Sequence, residues 1–225
     1  MKTHVAEMIL YMYPGACSRV TMTALEEIGL SYETGIIDLG AGVQNGADYL
    51  ALNHKGKVPM LSIGGAALTE NAAILGFLDS AYPTAKLLPR SNKPLETAVP
   101  LSDLIWCSST LHVEVRQIRN PFKMTAGESA GVRASGLTRF ASNCAYISSR
   151  LEGERWWYGA DWSILDTYLY WAYSTAAKGG FPLNDFPTLV AHSKRVRERP
   201  SFKRMLAREL AAVEQGKLNV DPASL

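Results

Sequence analysis

The chain is 225 residues long, 47% hydrophobic and 20% charged, which fits one large or two small globular domains and excludes a disordered, collagenous or disulfide-scaffold protein. Twenty-three Lys and Arg against twenty-one Asp and Glu leave a net charge of +2, too near balance to imply a nucleic-acid partner. The apolar runs are shorter than the roughly 18 to 20 residues of a membrane span, so no membrane segment is expected.

At the amino end, Lys2, His4 and Glu7 stand where a secretory leader would need an apolar run, and the expected location is the cytoplasm. Met8-Ile9-Leu10-Tyr11-Met12-Tyr13 reads as a buried strand ended by Pro14-Gly15. From Ser18, residues Val20, Ala24, Leu25 and Ile28 share one helical face, and Gly29 is placed to cap that helix in the left-handed conformation. A second strand is expected at Tyr32 to Ile37, then a Gly- and Asn-rich loop and a short helix around Asp48 to Leu52. Val58 to Ile63, the pair Gly64-Gly65, and Ala66-Ala67-Leu68 read as a hairpin. Asn71 then caps a helix with Ile74, Leu75, Leu78 and Tyr82 on its apolar face. The order βαβ followed by ββα suits a small mixed sheet with helices on its faces.

Pro83 to Pro94 contains three prolines and marks a linker. Beyond it the pattern is helical, as in Leu137, Phe140, Cys144, Ile147 and Leu151 at spacings of three and four, and Ser163-Ile164-Leu165-Asp166 has the form of a capping box. The expected division is 8–83 for the mixed domain, 84–94 for the linker and 95–225 for an all-helical domain.

Three cysteines at wide spacing, Cys17, Cys107 and Cys144, make neither a disulfide framework nor a zinc site, and no metal is expected. Cys107 and Cys144 fall in apolar helical patterns and read as core. Cys17 sits between a strand and a helix, where free backbone N–H groups favour a thiolate, although a small apolar side chain at a turn explains it as well. Ser18 either donates to an anionic sulfur or caps the helix. Pro59 is a candidate cis-proline that would let Val58 offer its backbone to an extended ligand. Glu70 and Asn71, opening a helix, suit an α-amino acid head group, or act as cap and dipole compensation. The segment His192 to Arg208, with seven Lys or Arg and one acidic residue, reads as a solvated helix face. Trp156, Trp157, Tyr158 and Trp162 read as packing between helices.

Taken together, these segments resemble the cytosolic glutathione S-transferase family. Tyr13-Pro14-Gly15-Ala16-Cys17-Ser18 resembles the PGACS motif of the bacterial beta-type enzymes, and Asn53-His54-Lys55-Gly56-Lys57-Val58-Pro59 resembles the NPKGxVP segment. Leu68-Thr69-Glu70-Asn71 matches the element before the third helix. Ser163 to Asp166 resembles the SxAD motif, and Phe186-Pro187 through Arg199-Pro200 resembles the terminal helix pair. The resemblance implies a thioredoxin-like amino-terminal domain that binds glutathione and an all-α domain that receives a hydrophobic electrophilic small molecule, in a homodimer. It implies that Val58 makes a backbone pair with the cysteinyl unit, with Pro59 in the cis form and Lys57 beside it, that Glu70 and Asn71 hold the γ-glutamyl end, that Cys17 and Ser18 face the sulfur, and that His112 is a candidate partner of Cys17. Ile105 and Val113 stand where beta-type members often carry Asn and Lys, and Met12 stands where other classes carry Tyr. The activity implied is attack of glutathione thiolate on an electrophile. The alternatives are glutathione-dependent thiol–disulfide or peroxide reduction through Cys17, and a noncatalytic ligand-binding protein on the same fold.

Overall fold

The computed structural model describes residues 7–153 and 155–225; Lys2 and His4 lie outside the described residues. In β1 (Met8–Met12), Met8, Leu10 and Met12 alternate into the core, as the two-residue period of a strand requires. β1 pairs in parallel with β2 (Glu33–Ile36) and antiparallel with β3 (Met60–Ile63), and β4 (Ala66–Thr69) completes the order β2-β1-β3-β4. A parallel pair needs a crossover. α1 (Ser18–Ile28) supplies it and ends at Gly29, whose φ of 81° is the left-handed cap the sequence anticipates. The β3–β4 hairpin turns through Gly64 and Gly65 at φ 56° and 86°, the two positive angles that a tight I′ turn demands.

Two local expectations change. The second strand is confined to Glu33–Ile36. Asn71 does not cap α3 (Asn71–Ala81); Glu70 holds the cap position at φ 71° without a side-chain cap bond, and Asn71 is the first helical residue. The reason is that the Asn71 amide has partners elsewhere, described below.

The chain forms two compact units, one made of the stretch ending at Leu87 together with Pro200–Leu225, the other of Leu88–Arg199. The final helix, α9 (Pro200–Gly216), thus belongs with the sheet and not with the helical stretch expected over 95–225. Phe202, Met205, Ala212 and Val213 are buried along one face of α9. Around them Arg204 and Arg208 pair with Glu26 of α1, and Glu209 pairs with Arg19. A stripe of apolar surface flanked by opposite charges on α1 explains the placement. α2 (Ala47–Leu52) lies in the loop between β2 and β3.

The second unit contains α4 (Pro94–Trp106), a π-helical turn at Cys107–Leu111, α5 (His112–Arg119), α6 (Ser129–Arg150), α7 (Ile164–Lys178) and α8 (Pro187–Glu198). Phe140, Cys144, Ile147 and Leu151 are fully buried, as their spacing predicts, whereas Leu137 of the same pattern is half-buried, and burial pushes the thiols of Cys107 and Cys144 up, away from thiolate chemistry. Trp157 stacks on Trp106 with centroids 5.7 Å apart, and Tyr158 donates to Asp103 at 2.9 Å, so these aromatics pack between helices. The basic segment is less free than a solvated face: Arg195 and Arg199 lie over Trp156 and Trp162, and Arg197 donates to Tyr170. Among the described residues no helix is long and apolar enough to cross a membrane.

Glu114 carries an expected pH dependence. Burial raises its carboxyl pKa, opposed by a 2.8 Å hydrogen bond from Asn143 and by Arg139. A carboxyl with a higher pKa folded than unfolded binds more protons in the native state, so stability falls as pH rises from the unfolded value through the folded one. Glu114→Gln keeps an oxygen for Asn143 and removes that charge. Its melting temperature should exceed the wild type's at neutral pH, with the gap closing in acid; a lower value at neutral pH would show that the charge is stabilising.

Candidate functional site

Cys17 lies at the cap position of α1, in helical conformation with φ −63° and ψ −13°. It is 7% exposed, and its Sγ–H donates to the Val58 carbonyl at 3.4 Å. The loop before it is closed by Ser18, whose hydroxyl donates to the Tyr13 carbonyl at 3.1 Å and accepts from the Tyr13 N–H at 3.3 Å. Ser18 is fully buried. Its hydroxyl proton goes to the loop carbonyl. Gly15 adopts φ +74°, a backbone angle that favours glycine.

Val58 and Pro59 are buried and joined by a cis peptide bond. The turn before them is fixed from below: the Lys57 carbonyl accepts from Tyr49 Oη and from Asn53 Nδ2, each at 2.7 Å. Tyr49, Val58, Met60 and Ile37 form one apolar cluster, with Tyr11 and Tyr13 packed against it. The Lys57 side chain is exposed. Burial and the nearby Asp38 carboxylate raise the Tyr13 pKa, so this hydroxyl keeps its proton at neutral pH.

Glu70 and Asn71 have opposite orientations. The Glu70 carboxylate is 55% exposed and meets Lys55 Nζ at 2.9 Å, so it stands at the surface beside the first turn of α3. Asn71 is 5% exposed; its Nδ2 donates to the Cys17 carbonyl at 2.9 Å and its Oδ1 accepts from Thr21 Oγ1 at 2.7 Å. Its side chain therefore ties the Cys17 turn to α1 and α3.

The structure thus brings Cys17, Val58, Pro59 and Asn71 together in the sheet-bearing unit, with Lys57 and Glu70 on the exposed rim. His112 belongs to the other unit, at the start of α5, its ring 4.5 Å from that of Trp171. Three residues of the site were not anticipated: Lys55, which also donates to Thr69 at 2.9 Å, Thr21 and Glu209. For Glu209 a signal was available, because it occupies a position between Met205 and Val213 that helical periodicity assigns to the core.

The architecture has known counterparts. The family model for the glutathione S-transferase N-terminal domain matches residues 6–80. Glutathione S-transferase GstA of Escherichia coli O157:H7 is 30% identical over 213 residues, spanning 90% of this chain and 98% of that protein. A Sulfitobacter glutathione transferase homolog, solved with bound glutathione, has a TM-score of 0.79 at 26% identity and covers 95% of this chain and 100% of its own. The bacterial beta class glutathione S-transferase of Sphingomonas chungbukensis has a TM-score of 0.78 at 30% identity, covering 89% and 98%. The mixed sheet with its helices is accordingly a thioredoxin-like domain, followed by an all-α domain. With a 30%-identical relative matched over nearly its whole length, the chain belongs to the glutathione S-transferase family and is a glutathione transferase.

Proposed function

We propose that this transferase lays glutathione along Val58 and directs its thiolate at a hydrophobic electrophilic small molecule. The observation that carries the reading is the bond from Cys17 Sγ to the Val58 carbonyl: the backbone group offered to the cysteinyl unit of an extended peptide is the same group that holds Cys17. In this arrangement the Val58 N–H and C=O pair with the cysteinyl unit, as in strand addition. The γ-glutamyl ammonium meets the exposed carboxylate of Glu70, its carboxylate meets the first N–H groups of α3, and Lys57 stands near the peptide. The sulfur then attacks the electrophilic carbon, the carbon–sulfur bond forms, and the leaving group departs with its electron pair while the thiol proton passes to solvent. The Tyr route to sulfur activation has little support, because Met12 is buried with no exposed surface. The reading extends to a homodimer, which the exposed apolar residues Leu95, Val99, Leu101 and Ile105 of α4 support, and to a cytoplasmic location.

The same closeness of Cys17 to the peptide site favours a second reaction, in which Cys17 forms a mixed disulfide with glutathione and His112 assists. Cys17→Ala separates the two. Conjugation of 1-chloro-2,4-dinitrobenzene should remain within about tenfold of the wild type, whereas reduction of a glutathione mixed disulfide should fall by about 10³-fold. Loss of conjugation to the same extent would make Cys17 essential to both. Calorimetric titration of glutathione that gives no heat, together with unchanged activity in Glu70→Ala, would overturn the binding scheme.

A further inference from the structure

The rim of the peptide site carries a second charge beside Glu70. Lys55 Nζ donates to Glu70 Oε1 and to Thr69 Oγ1, each at 2.9 Å, so it stands where β4 ends and α3 begins. The backbone of Lys55 is fixed as well: its N–H donates to Asn53 Oδ1 at 3.1 Å, and the buried Asn53 amide in turn holds the Lys57 carbonyl. One side chain thus joins the segment leading into Val58 to the residue that opens α3. Stability does not explain the arrangement. The Lys55 and Glu70 side chains are 38% and 55% exposed, and an ion pair this open to water contributes little once two long side chains have been ordered. Glu70 also keeps φ 71°, a backbone conformation that costs energy in any residue with a Cβ and that persists chiefly where function needs it.

We propose that Lys55 is a specificity-determining residue: with Glu70 it makes a pair of opposite charges that reads an α-amino acid head group as a zwitterion, Glu70 taking the ammonium and Lys55 the carboxylate. The inference rests on the reading above that the γ-glutamyl end lies at Glu70. In such a head group one carbon carries both charges, so two ion pairs form side by side only where the protein's own charges are neighbours, as these are. The valences suit this. A lysine ammonium has three N–H donors, of which Thr69 and Glu70 take two, and the third remains for a ligand carboxylate beside the first N–H groups of α3. A carboxylate has two oxygens, so Lys55 on Oε1 leaves Oε2 of Glu70 to the ligand ammonium. Each protein charge attracts one half of the head group and repels the other. A head group that carries only one of the two charges therefore gains one attraction and keeps one repulsion, which is how a site discriminates against near relatives of its ligand.

Calorimetric titration of the wild type and Lys55→Met with three probes tests this. The probes are glutathione, its des-amino analogue glutaryl-cysteinylglycine, and the analogue in which the γ-glutamyl α-carboxylate is converted to an amide. At low ionic strength Lys55→Met should bind glutathione and the des-amino analogue about fivefold more weakly than the wild type does, since both keep the carboxylate that Lys55 meets. The same variant should bind the amide analogue within about twofold of the wild type or more tightly, because that ligand offers Lys55 only an ammonium to repel. Lys55→Arg keeps the charge and should restore glutathione affinity to within about twofold of the wild type. In conjugation of 1-chloro-2,4-dinitrobenzene the loss in Lys55→Met should fall on KM for glutathione and not on kcat, as expected when binding and not alignment is impaired. A lysine that merely clips two segments together would weaken all three probes alike. Such a uniform loss overturns the proposal, and so does Lys55→Met binding glutathione as tightly as the wild type or better, the result expected if Lys55 competes with the ligand ammonium for Glu70. No heat from glutathione in the wild type would overturn the peptide reading and this inference together; heat in the wild type with no change in Lys55→Met would overturn the role of Lys55 alone.

Discussion

Asp166→Ala is expected to destabilise the helical unit severely, removing a large share of its net stability. Asp166 is fully buried and begins α7 as the reciprocal partner in a capping box with Ser163. Its Oδ2 accepts from the Ser163 N–H at 2.9 Å and from the Ser163 hydroxyl at 3.0 Å. Its Oδ1 accepts from the Trp157 N–H at 2.8 Å and lies 3.1 Å from His192 Nε2. The other nitrogen of His192 meets the Tyr173 hydroxyl, so one carboxylate organises the loop before α7, the first turn of α7 and, through His192, the helix α8. Truncation leaves two backbone N–H groups and an imidazole buried without an acceptor. At about 1–3 kcal/mol for each unsatisfied group, the loss is about 3–9 kcal/mol against a net stability of about 5–15 kcal/mol for a domain. Urea unfolding followed by tryptophan fluorescence measures it directly. Asp166→Asn keeps one acceptor and should lose less; a midpoint for Asp166→Ala close to the wild type's would mean that water replaces the carboxylate without cost.

Asn71→Leu is expected to lower conjugation by about 10²-fold while glutathione affinity changes only severalfold. The substitution is close in volume, so packing is largely preserved. It nevertheless removes one of the two donors to the Cys17 carbonyl, which still accepts from the Val20 N–H at 3.1 Å, and the acceptor for Thr21, leaving a buried hydroxyl unpaired at about 1–3 kcal/mol. The Cys17 turn then loses its tie to α3, and a displacement of about 1 Å at a reacting centre is enough for a rate loss of that order. Asn71→Asp keeps the acceptor for Thr21 but sets a carboxylate against the Cys17 carbonyl, and it should be at least as impaired. Steady-state kinetics with calorimetric binding separate the terms. If Asn71→Leu instead loses glutathione binding and keeps the wild-type rate of Cys17 alkylation, the Asn71 side chain acts on the ligand and not on the loop.

Much of this architecture is legible in the order of the residues. The alternation of Met8, Leu10 and Met12, the positive φ angles required at Gly29, Gly64 and Gly65, and the Ser163–Asp166 spacing each depend on neighbours within a few positions. Such local demands survive into the folded chain. The motifs around Cys17 and Val58 were recognisable for the same reason: each is a continuous segment whose backbone shape is prescribed by its own Gly and Pro. The placement of α9 was not legible, because its amphipathic face states only that it must be covered and not by what. Ser18 and Asn71 illustrate a second limit. A hydroxyl or amide beside a helix start is equally suited to capping, to a ligand and to the loop itself, and the choice depends on which partner the fold brings within 3 Å or so.

By itself the sequence determined the strand and helix order, the cis-capable turn at Val58–Pro59, the inert character of Cys107 and Cys144, and the family to which the chain is similar. These follow from periodicity, special backbone angles and apolar surroundings, all encoded locally. Only the tertiary structure decided which polar groups hold Cys17 in place. The Thr21–Asn71 bond joins residues 50 positions apart and the Gly15–Glu209 bond joins residues 194 apart, and a pairing over such distances exists only once α1, α3 and α9 have packed, since burial is what removes water as the competing partner.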